Sequence, residues 1–328
     1  MADDLLVWVR EQLNPLYFGY IGYIGLAIAS TTLIFGYLSW YFDSLRHIPG
    51  PFIARYTPVW LWSLIWRGTE CRTIAALHKK YGPVVRLAPN VVDILDGSAI
   101  YPIYIKNGGF MKSPIYRNFD LHGFSTIFSC LDPGHRAVRA KAVAPIFAQQ
   151  AITKGRQPVQ DVIDAMITEL KRRKKAADGG PVDVLNLLRA VSFDMVCVYL
   201  CGESFNGIGT ERLKATAFID NFVAGGRFFS LPGWLCGHVE NWASKIDKNK
   251  LTIAESTASV EEFAARMVDK SIVEEKNEAQ TYQGRLLEAG ISREEAIAQT
   301  VDVMFAGTDA AGMTLSLFCW YLGRSPEK

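Results

Sequence analysis

Ala306-Gly307-Thr308-Asp309-Ala310-Ala311-Gly312 interrupts an apolar run near the end of a 328-residue chain, and its reading decides the fold. Alanines and glycines surround a single carboxylate, Asp309. On a helix, such small residues let another body lie close against the backbone. Upstream, Ser292 and Glu295 have the spacing of a capping box, so a helix starts there. Its periodic pattern runs to about Leu322, roughly 45 Å at helical rise. A second membrane span is the alternative. Asp302 and Asp309 oppose it, since a carboxylate near the bilayer centre costs about 2.5–3.5 kcal/mol. The pattern predicts a central helix buried in a soluble body.

The rest of the chain is organised around that helix. Apolar residues make up 49% and aromatics 12%, and part of the excess lies near the N-terminus. No residue from Leu16 to Phe42 is charged. As a helix this run reaches roughly 40 Å, enough for a ~30 Å hydrocarbon core. Tyr17, Tyr20, Trp40 and Tyr41 cluster toward its ends as an aromatic belt would, and its length and lack of a basic start argue against a cleaved signal peptide. Arg46 and His47 follow the run, so the positive-inside rule puts the body in the cytosol. A net charge of +2 gives no reason to expect nucleic acid as a partner. Six cysteines without CxxC pairs read as reduced thiols.

Pro49-Gly50-Pro51 makes a stiff elbow after the apolar run. Thr69–Tyr81 reads as a helix stopped by Gly82-Pro83. Two β-branched runs, 84–87 and 91–95, flank Pro89-Asn90 and predict a hairpin. Beyond it the pattern is mainly helical, with Ile152–Lys175, Val182–Leu200, Glu211–Val223 and Glu240–Asn277 as the clearer segments. Asp132-Pro133 supplies an N-cap and a first-turn proline for a helix on which His135 and Arg139, four apart, share a face. That pair is either a set of anion donors or a solvated basic face. Lys171–Lys175 reads as a solvated helix end, and Cys197 and Cys201 as core thiols. Gly207-x-Gly209 lacks the third glycine and the preceding strand of a dinucleotide fold.

The Ala306–Gly312 patch resembles the oxygen-binding stretch of the long central helix in cytochrome P-450 monooxygenases. There the pattern is small residue, Gly, any residue, acid, Thr, then a small or hydroxyl residue. Ala306 and Gly307 match the positions of the oxygen groove, and Asp309 matches the acid that delivers protons. The family threonine falls at Ala310, so a hydroxyl is absent there. Thr308 and Thr314 point along other faces and do not replace it. The elbow, Leu77-His78-Lys79-Lys80-Tyr81-Gly82-Pro83, the hairpin and Phe110-Met111-Lys112-Ser113 are similar to fungal microsomal members. His135 and Arg139 fall where the family clamps haem propionates. Phe228–Leu235, an apolar connection, matches the segment that roofs the substrate channel, with an ordinary core loop as the alternative.

The resemblance implies haem b, an NADPH-dependent reductase and a lipophilic small-molecule substrate at the endoplasmic reticulum membrane, with secondary metabolism as the setting. It covers about the first two-thirds of a family member. After the central helix, neither Glu-x-x-Arg nor the glycine-rich cysteine loop occurs. Cys319, the sole cysteine after Asp309, lies inside a helix and reads as a packing residue. No metal ligand is assigned, because the axial cysteine is absent. The expectation is a mainly α fold with a small β hairpin: tail 1–15, transmembrane anchor 16–42, proline-rich hinge 43–51 and an incomplete P-450 domain over 52–328. As written the chain is expected to be inactive and to bind haem poorly. The alternative is a non-catalytic membrane-anchored remnant or interaction protein.

Overall fold

The computed structural model describes residues 15–178, 180–209, 217–246, 250–273, 281–325 and 327. Among these the chain is mainly helical with one two-stranded antiparallel sheet, as the hydrophobic periods require. It divides into two compact units, Met1–Gly109 and Phe110–Lys328.

In the first unit, helix α1 (Pro15–Tyr41) carries no charge, and its residues with described burial are exposed except Gly36. α2 (Val59–Arg67) ends at Gly68, whose φ of 65° lets its N–H turn back onto the last helical carbonyls. α3 (Glu70–Tyr81) stops at Gly82, one residue later at its start than the pattern suggested. β1 (Val84–Ala88) and β2 (Val91–Ile94) pair antiparallel, with Leu87 bulged between Arg86 and Ala88. Arg86, almost fully buried, organises the join to the preceding chain. Its guanidinium pairs with Asp43 and donates to the carbonyls of Pro89 (2.7 Å) and Ala88 (3.3 Å). Its backbone N–H donates to the Pro49 carbonyl at 2.8 Å. Gly50 lies so close to the Arg86 carbonyl that no side chain would fit there.

In the second unit, α4 (Pro133–Val143) starts as expected, with the Asp132 carboxylate accepting from the His135 N–H at 2.7 Å. The single helix expected over Ile152–Lys175 is two, α5 (Gln149–Lys154) and α6 (Arg156–Ala176). They join at Gly155, where a Cβ would sit 2.5 Å from the Tyr199 ring. Tyr199 is fixed there by its hydroxyl, which donates to the Ile146 carbonyl at 2.6 Å. α7 (Leu185–Val196) runs into a π turn at Cys197–Cys201 rather than continuing as α-helix to Leu200.

The described part of the Glu211–Val223 segment is α8 (Ala217–Gly225), and residues 210–216 lie outside the described set. The segment read from Glu240 begins earlier, as α9 (Gly233–Ile246) after Pro232, and α10 (Lys250–Val273) follows. Residues 247–249 and 274–280 lie outside the described set. α11 (Tyr282–Glu288) and α12 (Arg293–Arg324) complete the unit. The core draws Phe193 and Cys197 from the α7 segment, Phe263 and Met267 from α10, Leu286 from α11, and Val301 and Met304 from α12.

Two expectations for α12 need correction. Ser292 accepts from the Glu295 N–H at 3.3 Å, but the Glu295 side chain turns to Arg139 and not back to the cap. Half of the capping box is therefore present. Buried positions of the helix run from Glu295 to Gly312, whereas Leu317, Phe318, Trp320 and Tyr321 are exposed. Cys319 is exposed with them and is not a packing residue.

His78 ties α3 to the hairpin. Its Nδ1 lies 2.9 Å from the Gly82 carbonyl and its Nε2 2.6 Å from Asp93 Oδ1. Both ring nitrogens face acceptors, so the imidazolium satisfies both. The bond to Asp93 and then that to Gly82 raise its pKa above the ordinary value of 6.5. This stabilisation is complete below pH 6.5 and lost as pH rises through the higher folded value. An imidazole NMR titration should find His78 above that ordinary value, and Asp93→Asn should bring it down.

Candidate functional site

The site is built where α12 crosses α7, and glycine makes the crossing possible. A Cβ on Gly312 would lie 2.7, 2.9 and 3.1 Å from Cγ, Cα and N of Arg189. One on Gly307 would lie 2.5 Å from Cγ2 of Val196. The two helices therefore touch nearly backbone to backbone at Gly312 and backbone to side chain at Gly307.

One side of this crossing opens into a cleft of about 810 Å³. Ala306 and Gly307 line it together with Val303, Val196, Phe147 and Tyr199. The patch thus brings Ala306 and Gly307 to one apolar space. Ala310 is exposed on α12 and is not part of that wall.

Asp309 is turned elsewhere. Its Oδ1 accepts from Arg189 Nη2 at 2.9 Å, while Arg189 Nη1 donates to Asp220 Oδ1 at 2.8 Å. Arg189 is buried and both carboxylates are partly open to solvent, so one desolvated cation is shared by two wetter anions. The arginine Nε, also buried, has no hydrogen-bond partner among the described residues. The hydroxyls of Thr308 and Thr314 donate to helix carbonyls four residues back, at 2.6 and 2.7 Å. Thr308 is thus turned onto Met304, whereas Thr314, one turn beyond Ala310, donates to the Ala310 carbonyl itself and shares its face, which corrects the expectation that both threonines point along other faces.

His135 and Arg139 meet an acid that the pattern assigned to the helix cap. Arg139 grips Glu295 with Nε and Nη2, the latter at 2.7 Å, and its Nη1 donates to the His135 carbonyl at 3.0 Å. Nε2 of His135 lies 3.9 Å from Glu295 Oε1. The Arg139 guanidinium is the main cause that holds the Glu295 carboxyl below the usual range. One turn on, the Gln299 amide accepts from the Ile127 N–H at 2.9 Å and donates to the Ser125 carbonyl at 3.3 Å. Burial pushes the Asp302 carboxyl up to about 6, against hydrogen bonds from Thr126 and Phe128. Glu295, Gln299 and Asp302 thus form one polar edge of α12 that holds the segment before α4.

The apolar connection at 228–235 is partly packed. The Asn118 side-chain amide donates to the carbonyls of Phe229 and Leu231, each at 2.9 Å, and the Phe229 ring lies 4.2 Å from that of Phe119. Trp234 at its end is exposed. Lys171–Lys175 closes α6 at the surface, where Arg172 and Arg173 hold Glu169 near a pKa of 2. Cys197 and Cys201 are buried thiols, and burial pushes Cys201 up to about 12. Gly207 and Ile208 donate backbone N–H bonds to the buried Asp194 carboxylate at 2.9 and 3.0 Å. Among the described residues no group of three His, Cys, Asp or Glu side chains is placed to hold a metal.

Arg189 and the pairing of Arg139 with Glu295 escaped the sequence reading. Arg189 had a signal, being the one base in an apolar helix. The Arg139–Glu295 pair had none, since a glutamate three residues after a serine fits the cap equally well.

Comparison with known proteins adds family information. The cytochrome P450 family model matches residues 55–328. Cytochrome P450 monooxygenase mfmF of Annulohypoxylon moriforme is 35% identical over 303 residues, covering 86% of this chain and 61% of its own length. Cytochrome P450 monooxygenase stcB of Emericella nidulans is 27% identical over 299 residues, 88% of this chain and 56% of the relative. Cytochrome P450 monooxygenase sdnF of Sordaria araneosa is 24% identical over 348 positions, 99% and 64%. The chain spans about three-fifths of the length of these curated relatives.

The two glycines should differ in cost when replaced. Gly312→Ala meets backbone atoms of Arg189 and should destabilise the second unit by about 1–3 kcal/mol. Gly307→Ala meets only a valine methyl and should cost less, and Val196→Ala should offset it. Urea denaturation midpoints of the variants in one detergent give the order. Equal losses at both positions would contradict this reading of the crossing.

Proposed function

This chain belongs to the cytochrome P450 family, and from that premise we propose that it serves a fungal-type haem-thiolate monooxygenase that hydroxylates a lipophilic small molecule in secondary metabolism. The observation that carries the reading is the apolar cleft opened by Ala306 and Gly307 beside an acid-bearing helix. A cleft with an apolar wall suits a lipophilic substrate. Asp309 is the group assigned to proton delivery. Its pairing with Arg189 means that the carboxylate must leave the arginine before it can carry a proton elsewhere, as supply of protons to a dry cleft requires. Ala310 offers no hydroxyl to help, so water or substrate would bridge the gap.

The family uses haem, and the residues present do not make a complete site for it. A ligating thiolate needs donors around its sulfur. Cys197 and Cys201 are instead buried as neutral thiols, and Cys319 sits within the hydrogen-bonded backbone of α12. The propionate role assigned to Arg139 would compete with its grip on Glu295, leaving His135 as the looser donor of the pair. We therefore assign no turnover to these 328 residues by themselves. The second reading is a membrane-anchored interaction protein without catalysis, and the closed Arg139–Glu295 pair favours it.

The setting proposed is the endoplasmic reticulum membrane, with α1 as a single span, the body in the cytosol and an NADPH-dependent reductase as electron donor. α1 is long and apolar enough to cross a bilayer by length and composition.

A carbon-monoxide difference spectrum tests the proposal. The 328-residue chain supplied with haem should give no thiolate-type band, and a clear band would overturn the assignment of no turnover. A fusion that continues with the C-terminal part of the Annulohypoxylon relative should give the band and NADPH-dependent oxidation of lipophilic compounds. In that fusion Asp309→Asn should slow turnover by about 10²-fold or more while the band remains. A folded fusion with neither band nor turnover would favour the non-catalytic reading.

A further inference from the structure

The chain contains two Asn-Gly pairs, Asn107-Gly108 and Asn206-Gly207, and the fold treats them differently. Asparagine is chemically labile, and a following glycine has no side chain to obstruct attack on its amide by the next backbone nitrogen. Sequence alone gives the two sites equal standing. Both asparagines are exposed, and both sit in the left-handed region, at φ 55° and 61°. What separates them is the backbone amide that would attack.

At the second pair that amide is held. The Gly207 N–H donates to Asp194 Oδ1 at 2.9 Å and the Ile208 N–H to Oδ2 at 3.0 Å, so one carboxylate grips two successive residues. Asp194 is 2% exposed, and Gly207 and Ile208 are buried with it. Asn206 is tied from the other side, its N–H donating to the Ser204 hydroxyl at 3.0 Å. Freeing the Gly207 nitrogen leaves a buried carboxylate short of a donor, which is costly.

The first pair has no such hold. Lys106 to Gly109 form a tight turn whose central residues, Asn107 and Gly108, have φ of 55° and 87°, both positive as a type I′ turn requires. Across it the Gly109 N–H donates to the Lys106 carbonyl at 3.0 Å. Among the described residues no side chain accepts from the Gly108 N–H. Lys106, Asn107 and Gly108 are all exposed, and an exposed turn closed by backbone bonds opens locally at little cost.

We infer that Asn107 is a site of spontaneous deamidation in the folded chain, and that Asp194 protects Asn206 from the same reaction. The Gly108 nitrogen bonds to Cγ of Asn107 and gives up its proton, the Cγ–N bond of the side-chain amide breaks, and ammonia leaves. Water then opens the resulting cyclic imide at either carbonyl. One product is aspartate. The other is isoaspartate, in which the main chain runs through the former side chain and gains a methylene. Both products place a negative charge beside Lys106. The longer chain also disturbs the close return at Gly109, where a Cβ would lie only 2.7 Å from the Tyr104 carbonyl oxygen.

The full chain in detergent is incubated at mildly alkaline pH in water enriched in heavy oxygen, beside a second sample in concentrated urea. Peptide mapping by mass spectrometry follows heavy-oxygen aspartate and isoaspartate at both positions over time. In urea the two sites should react at similar rates, since each is an asparagine followed by glycine. In the folded chain Asn107 should react about tenfold or more faster than Asn206. Similar rates at the two positions of the folded chain, or a faster Asn206, would overturn the inference. So would an Asn107 that reacts in urea and stays intact in the folded chain.

Discussion

The nearly direct contact of Gly312 with the Arg189 backbone is the constraint on which the second unit depends. It sets how closely α12 approaches α7, and so which side chains the two helices can share. With the helices this close, the Arg189 side chain is carried along the crossing to Asp309 and Asp220. The same approach brings Val196 against Gly307 and opens the neighbouring apolar cleft. A small residue at each place is therefore a packing requirement.

The first turns of α12 are governed by polarity. Glu295, Gln299 and Asp302 recur at helical spacing and meet backbone groups of residues 125–128 and the guanidinium of Arg139. Buried polar groups of this kind give little net stability when satisfied and cost much when one partner is removed. They fix the register of the segment before α4 against the helix. The acid at the start of this network, Glu295, also holds the arginine proposed above for haem propionates.

How much of this was legible depended on whether the signal was local. The apolar helix α1, the hairpin around Pro89-Asn90, the Asp132 cap and the start of α12 follow from residues within a few positions of one another, and all were readable. The break at Gly155 was not, because its cause is the Tyr199 ring more than forty residues away. The π turn at Cys197–Cys201 has no periodic signature in so short a run. Within the site, Ala306, Gly307 and Asp309 stood out by composition, but their separate directions did not. Asp309 belongs to Arg189 through a contact 120 residues distant in the chain. Cys319 looked like core because its neighbours are apolar, and burial depends on what lies opposite.

The clamp between Asp43 and Arg86 also implies an order of events during synthesis. The two residues are 43 positions apart, so Asp43 leaves the ribosome well before its partner exists. At about 5–20 residues per second the delay is roughly two to nine seconds. In the anchored reading, α1 meets the membrane while the chain behind it can still swivel. Flanking charge acts on its orientation in that interval, and the arginine joins the hairpin to Asp43 only afterwards.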